Sequence, residues 1–201
     1  ALINSQPMGF YQPAQIIRDA KEHHVAVCEI DVNLSQWDCT LEWHRASARC
    51  FSSDDPHRAE ARCHDLSIRL GMRLADGLPE EDAHKISKAI QTHGPFRSIQ
   101  SLWRTSRCSC RALRRLAGAD AFRSMGIDRR AALWEVRALR DDPLPLFEGA
   151  PEIEEPEATL PALSPMRHVM QDYESTGLSL KSHPMSFIRA DLDRRGVITA
   201  E

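Results

Sequence analysis

Two glycines with arginines around them, Gly118 and Gly126, are the residues of this sequence best suited to bind an anion. The run from Leu113 to Arg130 predicts a helix, a turn at Gly118, an apolar Phe122, a second turn at Gly126 and another helix. Such a turn directs backbone N–H groups and the positive end of a helix dipole at a phosphate. Three arginines flank the turn: Arg123, Arg129 and Arg130. We predict that these arginines contact phosphates; the alternative is an ordinary solvated helix surface.

A similar arrangement comes earlier in the chain, between Leu74 and Ile86. A strand-like run over residues 67–74 leads into a turn at Gly77 and Leu78, and a helix follows. Lys85 lies one turn into that helix, where it either contacts a phosphate or faces solvent. The two units in series predict a tandem helix-hairpin-helix arrangement. Such hairpins bind a nucleic-acid backbone through oriented amides without reading bases.

The elements before the hairpins have mixed periodicity. A helical stripe predicts a helix from Pro13 to His23, and alternation over Val25 to Asn33 predicts a strand. Residues 37–43 read as an extended or turn segment. The fold class predicted for the chain is therefore mainly α, with a small mixed α/β part at its N-terminal end.

The helices around the hairpins are predicted from their apolar stripes. The first hairpin helix has a buried stripe that consists of Ala83, Ile86 and Ile90. Asp128 is the predicted N-cap of the last hairpin helix. The predicted inward face of that helix consists of Ala131, Trp134 and Ala138. Three aromatic side chains are predicted to belong to the core rather than to stack on bases: Trp103, Phe122 and Trp134.

The composition restricts the class of protein. The chain has 201 residues, enough for one or two domains with a hydrophobic core. No apolar run approaches about 20 residues, so we expect no membrane span. We find no secretion signal, and the six cysteines have no disulfide-framework spacing, which favours reduced thiols in the cytoplasm.

The formal net charge of −3 conceals two regions of opposite sign. Residues 97–140 contain eleven arginines and three acids, a local balance of +8. Residues 141–157 contain seven acids and no base, and prolines recur from Pro143 to Pro165. The basic region suits a polyanionic partner, whereas the acidic, proline-rich stretch predicts an extended linker.

No catalytic or metal-binding pattern stands out. Four residues in a polar, loop-like stretch could be imagined as zinc ligands: Cys50, His57, Cys63 and His64. Their spacing matches no common zinc pattern, and neither does that of Cys108 and Cys110, so we predict no metal site. We find no glycine-rich phosphate loop, nucleophile elbow or His-Glu-x-x-His motif, and we predict no catalytic residue.

Longer motifs along the chain carry a family resemblance. Asn4–Tyr11, Ile30–Asn33 and Trp37–Leu41 resemble the end of the fingers region of bacterial C-family DNA polymerases. Four segments resemble the helix-hairpin-helix domain that follows the fingers: Gly94–Ser98, Leu102–Trp103, Ala119–Arg123 and Arg129–Trp134. Gly177–Lys181 with His183–Pro184 resembles the approach to an oligonucleotide-binding-fold domain. Within the family, which comprises DNA polymerase III alpha subunits, the resemblance is strongest to the error-prone translesion branch.

The resemblance implies a division of the chain into four parts. Residues 1–66 would be the end of a fingers-like α/β region, and residues 67–140 the tandem helix-hairpin-helix domain that binds DNA. Residues 141–165 would be the acidic linker. Residues 166–201 would be a helical lead-in to an oligonucleotide-binding-fold domain outside the chain.

The resemblance also implies an activity for the parent protein. That protein would be a DNA-directed DNA polymerase, a nucleotidyltransferase acting in replication and damage-tolerant repair in the bacterial cytoplasm. Its palm domain would use Mg²⁺ held by three aspartates upstream of this region. Since that cluster is absent here, we expect the chain to be a fragment, inactive alone and without a cofactor of its own. Its expected partners are double-stranded DNA, bound non-specifically, and the rest of the polymerase.

Two details qualify the comparison with the family. The first hairpin in the family commonly reads Gly-hydrophobic-Gly, and here Pro79 stands at the second glycine, which removes one N–H donor. The first hairpin would then mainly pack while the second binds.

Within the acidic linker, Leu144, Leu146 and Phe147 resemble the family's short peptides that dock on the sliding clamp. The alternative is that this apolar island packs back on the domain itself.

Two other functions remain open from the sequence. The chain could be a free-standing, non-catalytic DNA-binding module, although the fingers-like segment Asn4–Tyr11 would then have no purpose. It could also be a non-functional remnant of a polymerase, which predicts poor folding.

Overall fold

A computed structural model describes the chain over residues 2–6, 9–43, 66–139 and 160–198. Within these ranges the chain forms seven α-helices and one three-stranded sheet, joined by short 3-10 turns. The predicted fold class, mainly α with a small mixed α/β part, is confirmed.

The N-terminal part combines one helix with the sheet. Helix α1 spans Pro13–Glu22, as predicted to within one residue, and its proline occupies the first helical turn. The strands are β1 (Ala26–Cys28), β2 (Thr40–Trp43) and β3 (Leu66–Arg69), and β3 lies in the middle of the sheet. β1 pairs with β3 in parallel and β2 pairs with β3 antiparallel.

The strand predicted over residues 25–33 is too long, because Asp31 forms a turn just after β1. Its carboxylate accepts a hydrogen bond from the Asn33 N–H at 2.9 Å, and its carbonyl accepts one from the Ser35 N–H at 2.7 Å. Aspartate competes with a sheet ladder in this way because its short side chain reaches the backbone two residues on. The turn prevents a strand from continuing to Asn33, and the pairing of β1 with β3 ends at Cys28.

The strand predicted over residues 67–74 is also too long. After Arg69 the chain turns away to pair with the segment before β2: the Met72 N–H donates to the Gln36 carbonyl at 2.8 Å. Met72–Leu74 then forms a 3-10 turn. Local alternation of apolar residues could not reveal this pairing, since its acceptor lies far away in the sequence.

Four helices carry the two hairpins: α2 (Glu80–His93), α3 (Ile99–Ser106), α4 (Cys110–Gly118) and α5 (Arg129–Ala138). The side chains of Ser98, Ser109 and Asp128 each accept a hydrogen bond from the backbone N–H three residues on, which begins α3, α4 and α5. The predicted N-cap at Asp128 is thus confirmed.

Two further helices follow. Helix α6 spans Pro165–Thr176 and packs on α4. Helix α7 spans Arg189–Arg194, and its main contact within the described residues is with the 3-10 turn Pro184–Phe187 just before it. Leu178, after α6, joins the core. The second hairpin therefore packs against α6 through α4.

The predicted inward face of α5 is wrong. Trp134 is 55% exposed, and the residues of α5 that are buried are Arg129, Ala132 and Val136. The inner side of α5 thus consists of Arg129 and the residues three and seven positions later, of which Ala132 and Val136 join the core while the helix packs on α4. Phe122 is buried and Trp103 is packed against the core, as predicted.

The helices in the described part of the chain are too short or too polar to cross a lipid bilayer.

Candidate nucleic-acid interface

The second hairpin turn contains two residues with left-handed backbone conformation. After α4 ends at Gly118, Asp120 has a φ of 60°, and Gly126 has a φ of 80° just before α5. Gly126 suits this conformation because it has no Cβ, and an aspartate tolerates it better than most residues. The sequence interpretation of Gly126 as a turn residue is confirmed.

The second hairpin turn is anchored to the N-terminal part of the molecule. The Val32 N–H donates to the Ala121 carbonyl at 2.8 Å, and the Ser124 N–H donates to the Asp31 carboxylate at 2.9 Å. The Asn33 side chain donates to the Ser124 hydroxyl at 2.8 Å. These contacts fix the turn against the loop after β1, so the small α/β part supports the hairpin directly.

The N-terminus of α5 offers backbone donors to a ligand. Within the described part of the chain, the N–H groups of Asp128, Arg129 and Arg130 have no acceptor. These groups carry the positive end of the helix dipole, which favours an anion. Arg130 is exposed beside them and donates one hydrogen bond to the Pro161 carbonyl at 2.7 Å.

Arg123 lies at the surface of the same turn. Its guanidinium donates two hydrogen bonds to the Asp120 carboxylate, at 2.9 and 2.7 Å, and its side chain is 45% exposed. The structure therefore leaves part of the Arg123 guanidinium accessible to a phosphate, although Asp120 already holds two of its N–H groups.

The structure corrects the expectation for Arg129. Its side chain is 1% exposed, and the guanidinium donates to the Asp172 carboxylate and to the His168 carbonyl on α6. A buried guanidinium with carboxylate and carbonyl partners is inaccessible to a phosphate. The predicted side-chain contact of Arg129 is therefore wrong in this conformation, and only its backbone N–H remains to bind.

The first hairpin has a different character. Gly77 has a φ of 67° and is exposed, whereas Leu78 is buried in the core. A Cβ placed on Gly77 would lie 3.2 Å from the guanidinium of Arg115. α4 thus brings an exposed arginine to the turn of the first hairpin, which the sequence did not predict.

The first turn of α2 is acidic and cannot attract a phosphate as strongly as the second hairpin. Pro79 is its N-cap and gives no N–H, and Glu80, Glu81 and Asp82 follow. Lys85 forms ion pairs with Glu81 at 2.9 Å and Asp82 at 3.4 Å, and its hydrogen bond to Glu81 raises its pKa. The buried Leu78 fits the packing role expected for the first hairpin, and the expectation that it binds less stays a prediction.

Exposed arginines surround both hairpins. Between residues 97 and 139 the structure describes ten arginines; nine are exposed, and Arg129 is the exception. Three of them lie on α4: Arg111, Arg114 and Arg115. Their side chains form no ion pair or hydrogen bond within the described ranges. The number of arginines in the region indicates a basic surface, and the spacing of these three by three and four residues places them on one face of a helix.

Two buried thiols lie at the start of α4. Cys108 and Cys110 are both in the core, and burial raises the pKa of Cys108 to about 11. A thiol with so high a pKa stays protonated at neutral pH and is a poor nucleophile or metal ligand.

Several sequence predictions lie outside the described residues. These are the possible clamp-binding residues Leu144, Leu146 and Phe147, and the imagined zinc ligands Cys50, His57, Cys63 and His64. The acidic linker lies outside the described residues over residues 141–159.

The hairpins, their capped helices and the arginine surface define the class of protein. The chain belongs to the helix-hairpin-helix motif family, whose sequence model matches residues 24–132. The match begins well before residue 67, where the sequence resemblance placed the start of this domain. It therefore includes the sheet and the loop after β1 that anchors the second hairpin turn.

The relatives of the chain are more specific. It is 45% identical over 208 residues to the error-prone DNA polymerase of Sinorhizobium medicae (strain WSM419), and 46% identical over 203 residues to that of Brucella abortus biovar 1 (strain 9-941). These alignments cover 98% and 99% of the chain but 18% and 17% of the relatives. The resemblance to error-prone polymerases is thus confirmed for a segment that spans about a fifth of their length.

Proposed function

We propose that this chain is the part of an error-prone DNA polymerase that holds duplex DNA through its phosphates, without reading bases. The observation that carries the proposal is the second hairpin, where the N–H groups at the start of α5 have no acceptor within the described part of the chain. All described arginines of the surrounding region except Arg129 are exposed. Membership of the helix-hairpin-helix family and the names of the relatives support it.

The binding mechanism would be electrostatic. Arginines that approach phosphates release counterions, so affinity falls steeply with salt, and amides at the helix N-terminus add short, directional hydrogen bonds. Neither contact depends on the base sequence. Binding of this kind, which does not depend on base sequence, suits DNA synthesis on any template, including a damaged one, in the bacterial cytoplasm. Polymerisation itself would need the Mg²⁺-binding palm that the resemblance places elsewhere in the parent protein.

The experiment that tests the proposal is equilibrium binding of the full chain to a labelled duplex between about 50 and 200 mM salt. The variant Arg111→Ala/Arg114→Ala removes two exposed charges of α4. We expect it to lose about one to two units of the log–log salt slope, since each lost phosphate contact removes about 0.9. Two duplexes of unrelated sequence should bind with about equal affinity.

The matched control is Arg18→Ala/Arg194→Ala, which removes the same charge from α1 and α7. Both arginines are exposed and pair only within their own helices among the described contacts. This control should keep the wild-type slope. Equal losses in the two variants would contradict a localised interface, and a folded chain that binds no duplex at low salt would overturn the proposed function.

The clamp interaction stays a separate proposal that rests on the sequence of residues 144–147. A Leu146→Ala/Phe147→Ala variant should lose binding to a bacterial sliding clamp while duplex binding stays unchanged. If the apolar island instead packs on its own domain, the same variant would lower the thermal stability of the chain.

A further inference from the structure

A cluster of charged side chains joins the second hairpin to α6 and to the segment after it. Lys181 Nζ lies 3.2 Å from both carboxylate oxygens of Asp172 and 3.4 Å from the Asp120 carboxylate. Arg129 pairs with Asp172 and approaches Asp120 at 3.8 Å. The Ser179 hydroxyl donates to Asp172 at 2.7 Å. The cluster thus pairs two carboxylates with two cations and joins three stretches of the chain: the second hairpin, α6 and the segment after it.

The cluster acts on the two parts of the hairpin that would face a phosphate. Asp120, one of its members, is the left-handed residue that begins the turn, and its carboxylate also holds Arg123. Arg129 is the first residue of α5, so its buried side chain fixes the same residue whose backbone N–H has no acceptor among the described residues. Without Asp172, the Arg129 guanidinium would lose its closest partner in the interior, where an uncompensated charge is unfavourable.

We infer that Asp172 and Lys181, which lie outside both hairpins, are positioning residues for DNA binding by the second hairpin. The inference rests on the proposed function. The cluster holds the turn at Asp120, which positions Arg123, and it holds the start of α5 in the form that presents its backbone N–H groups. An acidic residue would thereby increase affinity for an anion, the opposite of its direct electrostatic effect.

The positioning effect of Asp172 on DNA affinity and its direct electrostatic effect have opposite signs, and this difference provides the test. Asp172→Asn removes one negative charge from a DNA-binding protein, and charge alone would leave duplex binding unchanged or tighter. Positioning predicts instead that binding weakens by about fivefold or more, within the usual range of coupling between sites. The control is Glu174→Gln on the same helix; Glu174 is exposed and makes no hydrogen bond or ion pair among the described residues. It should bind at least as tightly as the wild type.

A second variant keeps the test usable if Asp172→Asn folds poorly. Ser179→Ala removes one hydrogen bond to Asp172 without changing the net charge, and we expect duplex binding to weaken by about twofold. Amide hydrogen exchange separates positioning from general loss of stability. In both variants exchange should speed up at residues 119–130 while α2 keeps its wild-type protection.

The outcomes separate the inference from the proposed function. If the wild type binds but both variants bind as tightly as Glu174→Gln, the positioning inference is wrong and the proposed function stands. Faster exchange spread equally over all helices would also overturn it, because the effect would then be global. If the folded wild type binds no duplex, the proposed function fails and the inference fails with it.

Discussion

At the scale of single residues, Gly71 is the position with the least room. A Cβ at residue 71 would lie 2.4 Å from the Trp37 carbonyl oxygen and 2.6 Å from the Cys39 nitrogen, both of which are backbone atoms. We expect Gly71→Ala to lower the free energy of unfolding by about 3 kcal/mol, because backbone cannot move aside as a side chain can. Urea denaturation followed by circular dichroism would measure the loss.

Gly118→Ala is the matched control for that substitution. Gly118 ends α4, and the nearest atom to an added Cβ is the Ser175 Cβ at 3.9 Å, an ordinary contact. Alanine favours a helix over glycine, so this variant should be unchanged or more stable by about 0.5 kcal/mol. Equal losses for the two variants would show that the close approach at Gly71 does not limit the fold. Normal duplex binding by Gly118→Ala would argue against a contact between DNA and Gly118.

The roles of residues that act on their immediate sequence neighbours were predicted better than the roles of residues whose partners are distant in the sequence. Gly77 and Gly126 have positive φ because turns of this kind require it, and Asp128 caps the helix that begins beside it. Arg129 was assigned to the surface because charged residues usually lie there. Its carboxylate partner lies 43 residues away, and no local pattern indicates such a pair.

At the scale of secondary-structure elements, Ser109 connects two helices. Its hydroxyl accepts a hydrogen bond from the Ala112 N–H at 3.1 Å, which caps α4, and donates one to the buried Asp82 of α2 at 2.6 Å. We expect Ser109→Ala to lower the free energy of unfolding by about 2 kcal/mol, since it removes a cap and one partner of a buried carboxylate. Thermal unfolding would measure the change.

Ser164→Ala provides the comparison for this cap. Ser164 caps α6 through a single bond of 3.4 Å from the Arg167 N–H, and both residues are exposed. Its loss should be below about 1 kcal/mol. If the two serine variants were equally destabilised, the hydrogen bond between Ser109 and Asp82 would contribute nothing beyond the cap.

Helices were predicted more accurately than strands for a physical reason. The ends of a helix depend on nearby caps and prolines, which are visible in sequence, whereas the length of a strand depends on its partners. β1 ends early because of Asp31, and β3 ends early because Met72 pairs with Gln36. The face of α5 was misassigned for a similar reason, since the neighbours that bury Arg129, Ala132 and Val136 lie on other helices.

At the scale of the whole molecule, residues 178–181 form a strap that joins the N-terminal part, the second hairpin and α6. Leu178 is buried, Lys21 Nζ donates to the Leu180 carbonyl at 3.0 Å, and Lys181 enters the charge cluster. After the strap, residues 182–198 contain no buried residue. The stability of the fold should therefore depend on the strap and hardly on residues 182–198.

Two truncations test this expectation. A chain that ends at Lys181 should keep a cooperative thermal transition with its midpoint lowered by less than about 3 °C. A chain that ends at Gly177 lacks the strap and should melt at least about 5 °C lower, because it loses the buried Leu178 side chain and leaves Asp172 without Lys181. Similar melting temperatures for the two truncated chains would contradict a stabilising role for the strap.

The strap could not be predicted from sequence, although its residues carried a family resemblance. That resemblance assigned residues 166–201 to a lead-in toward another domain, and the proposed domain boundaries stay predictions. The structure adds that α6 packs on α4 and that Leu178 of the strap joins the core of the hairpins. Apolar periodicity predicts which residues of a helix face inward, but it does not tell which neighbour they will meet.

The charge cluster also has a consequence for the order of events on the ribosome. When α4 and α5 of a nascent chain have just left the ribosome, Asp172 and Lys181 have not yet emerged. The Arg129 side chain then lacks its carboxylate and carbonyl partners on α6. The Asp120 carboxylate likewise lacks Lys181 at that stage. The charge cluster of the second hairpin, a segment synthesised in the middle of the sequence, is therefore completed only when the strap has emerged.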